Sequence, residues 1–242
     1  MAFIKQDFQE LNHISETNCI LMDSEINSFS YEDALKSDKR TFCQYYISLL
    51  KTKHILISIF TNNNYNLNII KLILFLYSFA LLYFVNALFF TDDTMHKIYE
   101  DGGFFNLAYS LPQIVYSFII STIINFFIKF LALSEDKIIQ IKQKENIQPE
   151  VDLPKTKKKI KIKFAFFFML CLILLVFFWS YLICFGAIYK NTQLHLLKDT
   201  LFSFGLSLLY PFLIYLLPSS FRIASLKHPE YLYKLSKLLQ SL

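Results

Sequence analysis

The sequence predicts an all-α integral membrane protein, with four transmembrane helices arranged as two antiparallel hairpins and amphipathic helices flanking them. Three observations carry this. Four long apolar stretches, residues 69–90, 107–133, 164–189 and 201–217, approach or exceed the roughly 20 residues that a helix needs to cross ~30 Å of hydrocarbon. Composition agrees, because 55% of the residues are apolar and only 18% charged, which makes lipid the expected solvent. The third observation is charge placement, since lysine crowds into one connection between spans and is almost missing from another.

Taken in order, residues 1–30 form a polar, acidic tail with Asp7, Glu10, Glu16, Asp23 and Glu25 and no signal-peptide core, so the first span is expected to act as its own uncleaved anchor. Residues 31–60 are a pre-membrane segment. Ser30 and Asp33 predict a helix start there, and Phe42, Tyr45, Tyr46, Leu49 and Leu50 recur at helical spacing. That stripe suits either the headgroup boundary or a neighbouring helix on the same side. Residues 54–60 are too short to span, and the polar run 61–64 breaks them from the first hairpin, 69–133. Pro112 falls in the early turns of its second helix, where proline is tolerated. The linker 134–163 is basic, and the second hairpin covers 164–217, with Pro211 expected to kink its last helix and Pro218 to end it. Residues 229–242 predict a C-terminal amphipathic helix, with Pro229 in the first turn and a stripe of Leu232, Leu235, Leu239 and Leu242.

Lysine and arginine in short loops set orientation. The linker contains nine lysines, among them Lys155, Lys157, Lys158, Lys159, Lys161 and Lys163, and is expected in the cytoplasm. The connection 91–106 has Lys97 against Asp92, Asp93, Glu100 and Asp101, which places it opposite, together with the short connection 190–199. Both termini then fall on the cytoplasmic side. Lys71 and Lys129 lie near that side and are expected to snorkel to the interface. The six linker lysines named above are candidate contacts for anionic membrane lipid. A nucleic-acid partner is disfavoured, because the basic residues flank apolar spans.

Chemistry is sparsely signalled. His13, His54, His96, His195 and His228 lack zinc-ligand spacing, and Cys19, Cys43, Cys171 and Cys184 read as free thiols, Cys43 as a small packing residue or an acylation site. The acidic loop 91–103 could attract cations but does not match an EF-hand. Within the spans, Gln113, Ser117 and Ser121 share a helix face that Asn125 continues, and these four are candidates to line a pore or to bond between helices. No acidic residue is expected deep in a span, which argues against a proton-coupled carrier. Neither a cofactor motif nor a catalytic one is present, so nothing points to an enzyme.

Three segments, 38–57 (DKRTFCQYYISLLKTKHILI), 85–103 (VNALFFTDDTMHKIYEDGG) and 189–212 (YKNTQLHLLKDTLFSFGLSLLYPF), resemble an uncharacterised family of multi-pass transmembrane proteins of ciliated protozoa. The resemblance implies a shared four-span module, often at the end of longer chains, and transfers no functional residue. The functional expectation is a non-enzymatic membrane protein that anchors cytoplasmic partners or anionic lipid. Its alternatives are a subunit of an oligomeric channel and a membrane-embedded lipid-modifying enzyme. Homo- or hetero-oligomers fit either of the first two readings.

Overall fold

A computed structural model of the protein describes residues 21–104, 106–145, 153–226 and 230–240. Among them the regular elements are all helices: α1 (Asp23–Ser28), α2 (Tyr31–Ser37), α3 (Phe42–Lys53), α4 (Ile55–Phe60), α5 (Asn68–Leu88), α6 (Asp92–Glu100), α7 (Leu107–Ala132), α8 (Glu135–Glu145), α9 (Leu153–Ile188), α10 (Gln193–Ile214), α11 (Leu216–Ser225) and α12 (Glu230–Gln240). Four segments, built on α5, α7, α9 and α10, are long and apolar enough to cross a membrane. This is an all-α membrane protein. Most of the acidic tail, Cys19, His13, His228, Pro229, Leu242 and the side chains of Lys155 and Lys157 lie outside the described residues.

The first hairpin, α5 and α7, presents two chemically different faces. On one, Ile70, Leu74, Tyr77, Leu81 and Phe84 of α5 and Ile128 of α7 pack against Phe167, Cys171 and Phe178 of α9. Aromatic geometry tightens this seam, with Phe84 stacked on Phe178 at 4.5 Å and edge-on to Tyr181 at 5.2 Å. The other face is polar and is covered by α10. The two arms of the second hairpin therefore pack on the first hairpin rather than along each other, meeting mainly at the turn, where Gln193 donates to the Gly186 carbonyl at 3.2 Å. Outward side chains such as Trp179, Leu209 and Leu213 are large, apolar and exposed, as lipid-facing positions require.

The second hairpin departs from expectation at both ends of its last helix. Residues 190–199 are not a loop: the turn occupies 189–192, with Asn191 at φ 65°, a left-handed conformation that asparagine tolerates. Helix α10 starts at Gln193, eight residues before the apolar stretch, and so carries Asp199 inward at 1% exposure. Asp199 therefore lies within the helix of the last span, in its second turn, and not in a loop. Pro218 does not end the helix either. It sits in the first turn of α11, where its ring excludes the Ile214 carbonyl and forces the break at Tyr215 instead.

The basic linker is largely helical, comprising α8 and the start of α9. At 36 residues α9 is ~54 Å long, well beyond ~30 Å of hydrocarbon, so its lysine-bearing start projects past the apolar part. Lys71 does not snorkel. It is 2% exposed and donates to the Ser58 carbonyl at 2.6 Å.

A layer of short helices closes the basic end of the bundle. Ser30 and Thr41 cap α2 and α3 by accepting from the backbone N–H groups of Asp33 and Gln44. Helix α3 buries Tyr45, Leu49 and Leu50 against Tyr215 and Phe212, so its stripe meets a neighbouring helix. Cys43 is exposed. In α12 the inward residues are Tyr233, Ser236 and Gln240, while Leu235 and Leu238 are exposed; the leucine stripe is displaced because Tyr233 is drawn in over Arg222.

That arginine centres the layer. Arg222 of α11 is 1% exposed, donates to Asp38 Oδ2 at 2.9 Å and lies under the Tyr233 ring at 4.2 Å. Asp38 also takes a bidentate pair from Arg40 at 2.8 and 2.9 Å. Burial pushes its carboxyl up, but the hydrogen bonds from Arg40 and Arg222 outweigh this and hold it below the usual range. A separate ion pair joins Lys142 of α8 to Glu25 of α1 at 2.8 Å, with Tyr65 sharing the ammonium.

Candidate functional site

Two places on the polar side of the first hairpin concentrate polar groups inside the bundle. The first is a cavity of ≈ 350 Å³ between α5, α7 and the α10–α11 junction. Its walls are mainly apolar, from Phe126, Phe204 and Pro211, with Ser78, Asn125 and Tyr210 among them. Phe127, on its rim, is 61% exposed, so the cavity opens sideways toward lipid.

Lys129 lines this cavity. It sits in the last turn of α7, and sequence reasoning sends such a side chain out to the interface. Instead it is half-buried and borders both this cavity and a smaller one beside Lys71. Among the described residues, no hydrogen bond or ion pair engages its ammonium. His54 stands nearby and cannot neutralise it: burial lowers the imidazole's basicity, with Lys129 adding to that effect. The His54 ring is held by the Leu208 carbonyl at 2.9 Å and by Phe212 at 4.8 Å. Because a carbonyl can only accept, Nε2 carries the proton and Nδ1 is left to accept from the Ile57 N–H at 3.4 Å.

The second place lies toward the acidic end, where α5, α7 and α10 meet. Asn86, Gln113, Ser117, Asp199, Thr200 and Ser203 are each between 0% and 6% exposed. Asn86 Nδ2 donates to Thr200 Oγ1 at 3.4 Å and to Ser203 Oγ at 3.3 Å, and Gln113 Nε2 donates to the Asn86 carbonyl at 3.0 Å. These bonds tie all three helices together.

The sequence candidates distribute between the two places. Gln113, Ser117 and Ser121 are buried on the inward face of α7, and Asn125 accepts from Ser78 at 3.1 Å beside the cavity. Most span hydroxyls bond back to their own helix, as Ser78, Thr122, Thr200 and Ser203 do. Ser117 and Ser121 have no such partner. Among the linker lysines, Lys158, Lys159 and Lys161 are exposed, whereas Lys163 turns inward to the Leu133 carbonyl and Ser134. His96 and the acidic residues of α6 lie apart, and among the described residues no group of three or more His, Cys, Asp or Glu gathers as a metal site.

Asp199, Thr200 and Ser203 are not among the residues that the apolar stretches single out. A signal for them exists: His195, Asp199, Ser203 and Ser207 recur every four residues, a polar stripe that extends the helix upstream of its apolar run. Compared with protein-family models, curated proteins and solved structures, the chain finds no match.

Proposed function

We propose that this protein is a non-enzymatic membrane protein that binds and organises anionic lipid at its basic face, which is the cytoplasmic one, with both chain ends on that side. The observation that carries the reading is Lys129, a cation with no anion beside it among the described residues, next to a sideways-opening apolar cavity. An ammonium in a poorly hydrated place favours an anionic partner. An amphiphile with an anionic headgroup satisfies Lys129 with its head and the Phe126, Phe127 and Phe204 walls with a chain. Lys158, Lys159 and Lys161, exposed on the projecting turns of α9, add a diffuse attraction of about 1 kcal/mol each near an anionic surface.

Native mass spectrometry of the delipidated full-length chain, offered phosphatidylglycerol and phosphatidylcholine, tests this. The expected result is selective retention of the anionic lipid, lost in Lys129→Gln and retained in a Lys158→Gln, Lys159→Gln, Lys161→Gln triple variant. Equal retention of both lipids, or indifference to Lys129→Gln, sinks the reading. The buried polar line of α7 favours a second reading, a subunit of an oligomeric channel, for which reconstituted bilayers must conduct.

A further inference from the structure

We infer that the junction of α5, α7 and α10 is a binding site for a single dehydrated monovalent cation of the sodium class, built on Asp199, Asn86 and Gln113. The argument is a count of donors and acceptors. Thr200 Oγ1 gives its only proton to the Leu196 carbonyl at 2.8 Å, and Ser203 Oγ gives its own to the Asp199 carbonyl at 2.9 Å. Both hydroxyls can then only accept, so the Asn86 group that faces them must be the NH₂. Gln113 faces a carbonyl, which fixes its NH₂ there by the same logic. All amide donors that reach this cluster are spent within the protein.

What remains is oxygen. Asn86 Oδ1, Gln113 Oε1, Asp199 Oδ1 and Asp199 Oδ2 are all buried without a hydrogen-bond partner. Ser110 brings its hydroxyl beside Asp199, and Ser117 in the same cluster keeps an unpartnered one, so two hydroxyl protons at most face four acceptors. His195, one turn earlier on α10, is taken up by the Gly103 backbone, and Lys198 is exposed. An uncompensated carboxylate at this depth is strongly unfavourable.

Two occupants can relieve it. A proton on Asp199 supplies one more donor and still leaves acceptors in excess, whereas a hard cation takes oxygen ligands of all these kinds. One carboxylate balances one positive charge, which selects a monovalent ion over calcium or magnesium. Access is short, because Asp199 lies six residues from the start of α10, about 9 Å along the axis.

The test is thermal unfolding of the full-length protein in nanodiscs of neutral lipid, at constant ionic strength, with sodium chloride exchanged for choline chloride. The expected result is a saturable rise in Tm with sodium. Asp199→Asn supplies an NH₂ to the same oxygens, so it is expected to fold and to show no sodium response. Gln113→Leu removes one ligand and is expected to raise the half-saturating sodium concentration at least tenfold, whatever its Tm in choline. Identical curves in sodium and choline overturn the inference. So does a Tm that follows pH from 6 to 8 but ignores sodium, which identifies a protonated Asp199 instead.

Discussion

Asp38 and Asp199 are both buried aspartates, at 7% and 1% exposure, but they stand in opposite electrostatic surroundings. Asp38 is clasped by Arg40 and Arg222, with Asn27 and Ser48 bracing the Arg40 guanidinium at 2.9 and 3.1 Å. Among the described residues, neither an ion pair nor a hydrogen bond reaches the Asp199 carboxylate. The difference separates two uses of a buried charge. A carboxylate with dedicated arginines holds elements together, here joining α11 to the amino-terminal layer, whereas one left with surplus acceptors is disposed to take a partner from outside.

The comparison is broken hardest at Arg222. Replacing it by alanine strands Asp38 with half its counter-charge, and the expected cost is about 3–5 kcal/mol, read as a lower midpoint in denaturant unfolding of the detergent-solubilised protein. Asp199→Asn is expected to cost nothing on the same scale or to stabilise, because it cures a donor shortage. If both variants lose stability alike, the two aspartates do not differ in kind.

Asn27→Ala is the next smaller test. It deprives Arg40 of an acceptor and Ser48 of a buried partner, so a loss of about 1–3 kcal/mol is expected, by the same measurement. Acid sharpens the contrast further. Asp38 has a depressed pKa in the fold, so its contribution is complete above the unfolded value of roughly 3.9 and disappears as pH falls through the folded one. His54 is depressed as well; its penalty starts as pH drops below about 6.5, where the unfolded imidazole takes up protons first. Stability is therefore expected to fall in two stages on acidification, with Asp38→Asn weakening the lower stage, to which the Glu25 carboxylate, also depressed despite its burial by Lys142 and Tyr65, contributes, and His54→Gln weakening the upper. A single stage in the wild type contradicts these assignments.

The smallest effect is expected at Tyr189→Phe. Its phenol donates to Asp92 at 2.9 Å, but on the exposed surface, so a change within about 0.5 kcal/mol is expected. A larger loss, measured by the same unfolding midpoint, would mean that the acidic-end turn supports the α10 register and with it Asp199.

Much of the architecture was legible because hydrocarbon is a demanding solvent: a 20-residue apolar run has few alternatives to a helix. The three apolar stretches opening at residues 69, 107 and 164 match α5, α7 and the inner part of α9 for that reason. The start of the fourth is hidden from hydropathy because Lys198 and Asp199 are polar, although the four-residue spacing of His195, Asp199, Ser203 and Ser207 continues the helix past them. Hydropathy registers how apolar a residue is, not which side of the helix it occupies. Lys129 and Lys71 show the same blindness, since a lysine near a span end reads as snorkelling whether it reaches water, a carbonyl or a cavity.

The amino-acid order alone thus determined that the chain enters a membrane, how many long apolar helices it offers for crossing, and where their lysine-rich flanks fall, because each of these follows from local composition along 20 or so residues. Only the tertiary structure decided that α9 covers the apolar face of the first hairpin and α10 its polar one. Pairing of Asp38 with Arg222, and the want of any pair for Asp199, were decided there too. Such outcomes depend on which side chains meet across helices far apart in the chain, and hydrogen-bond donors are allotted by that meeting rather than by any local pattern.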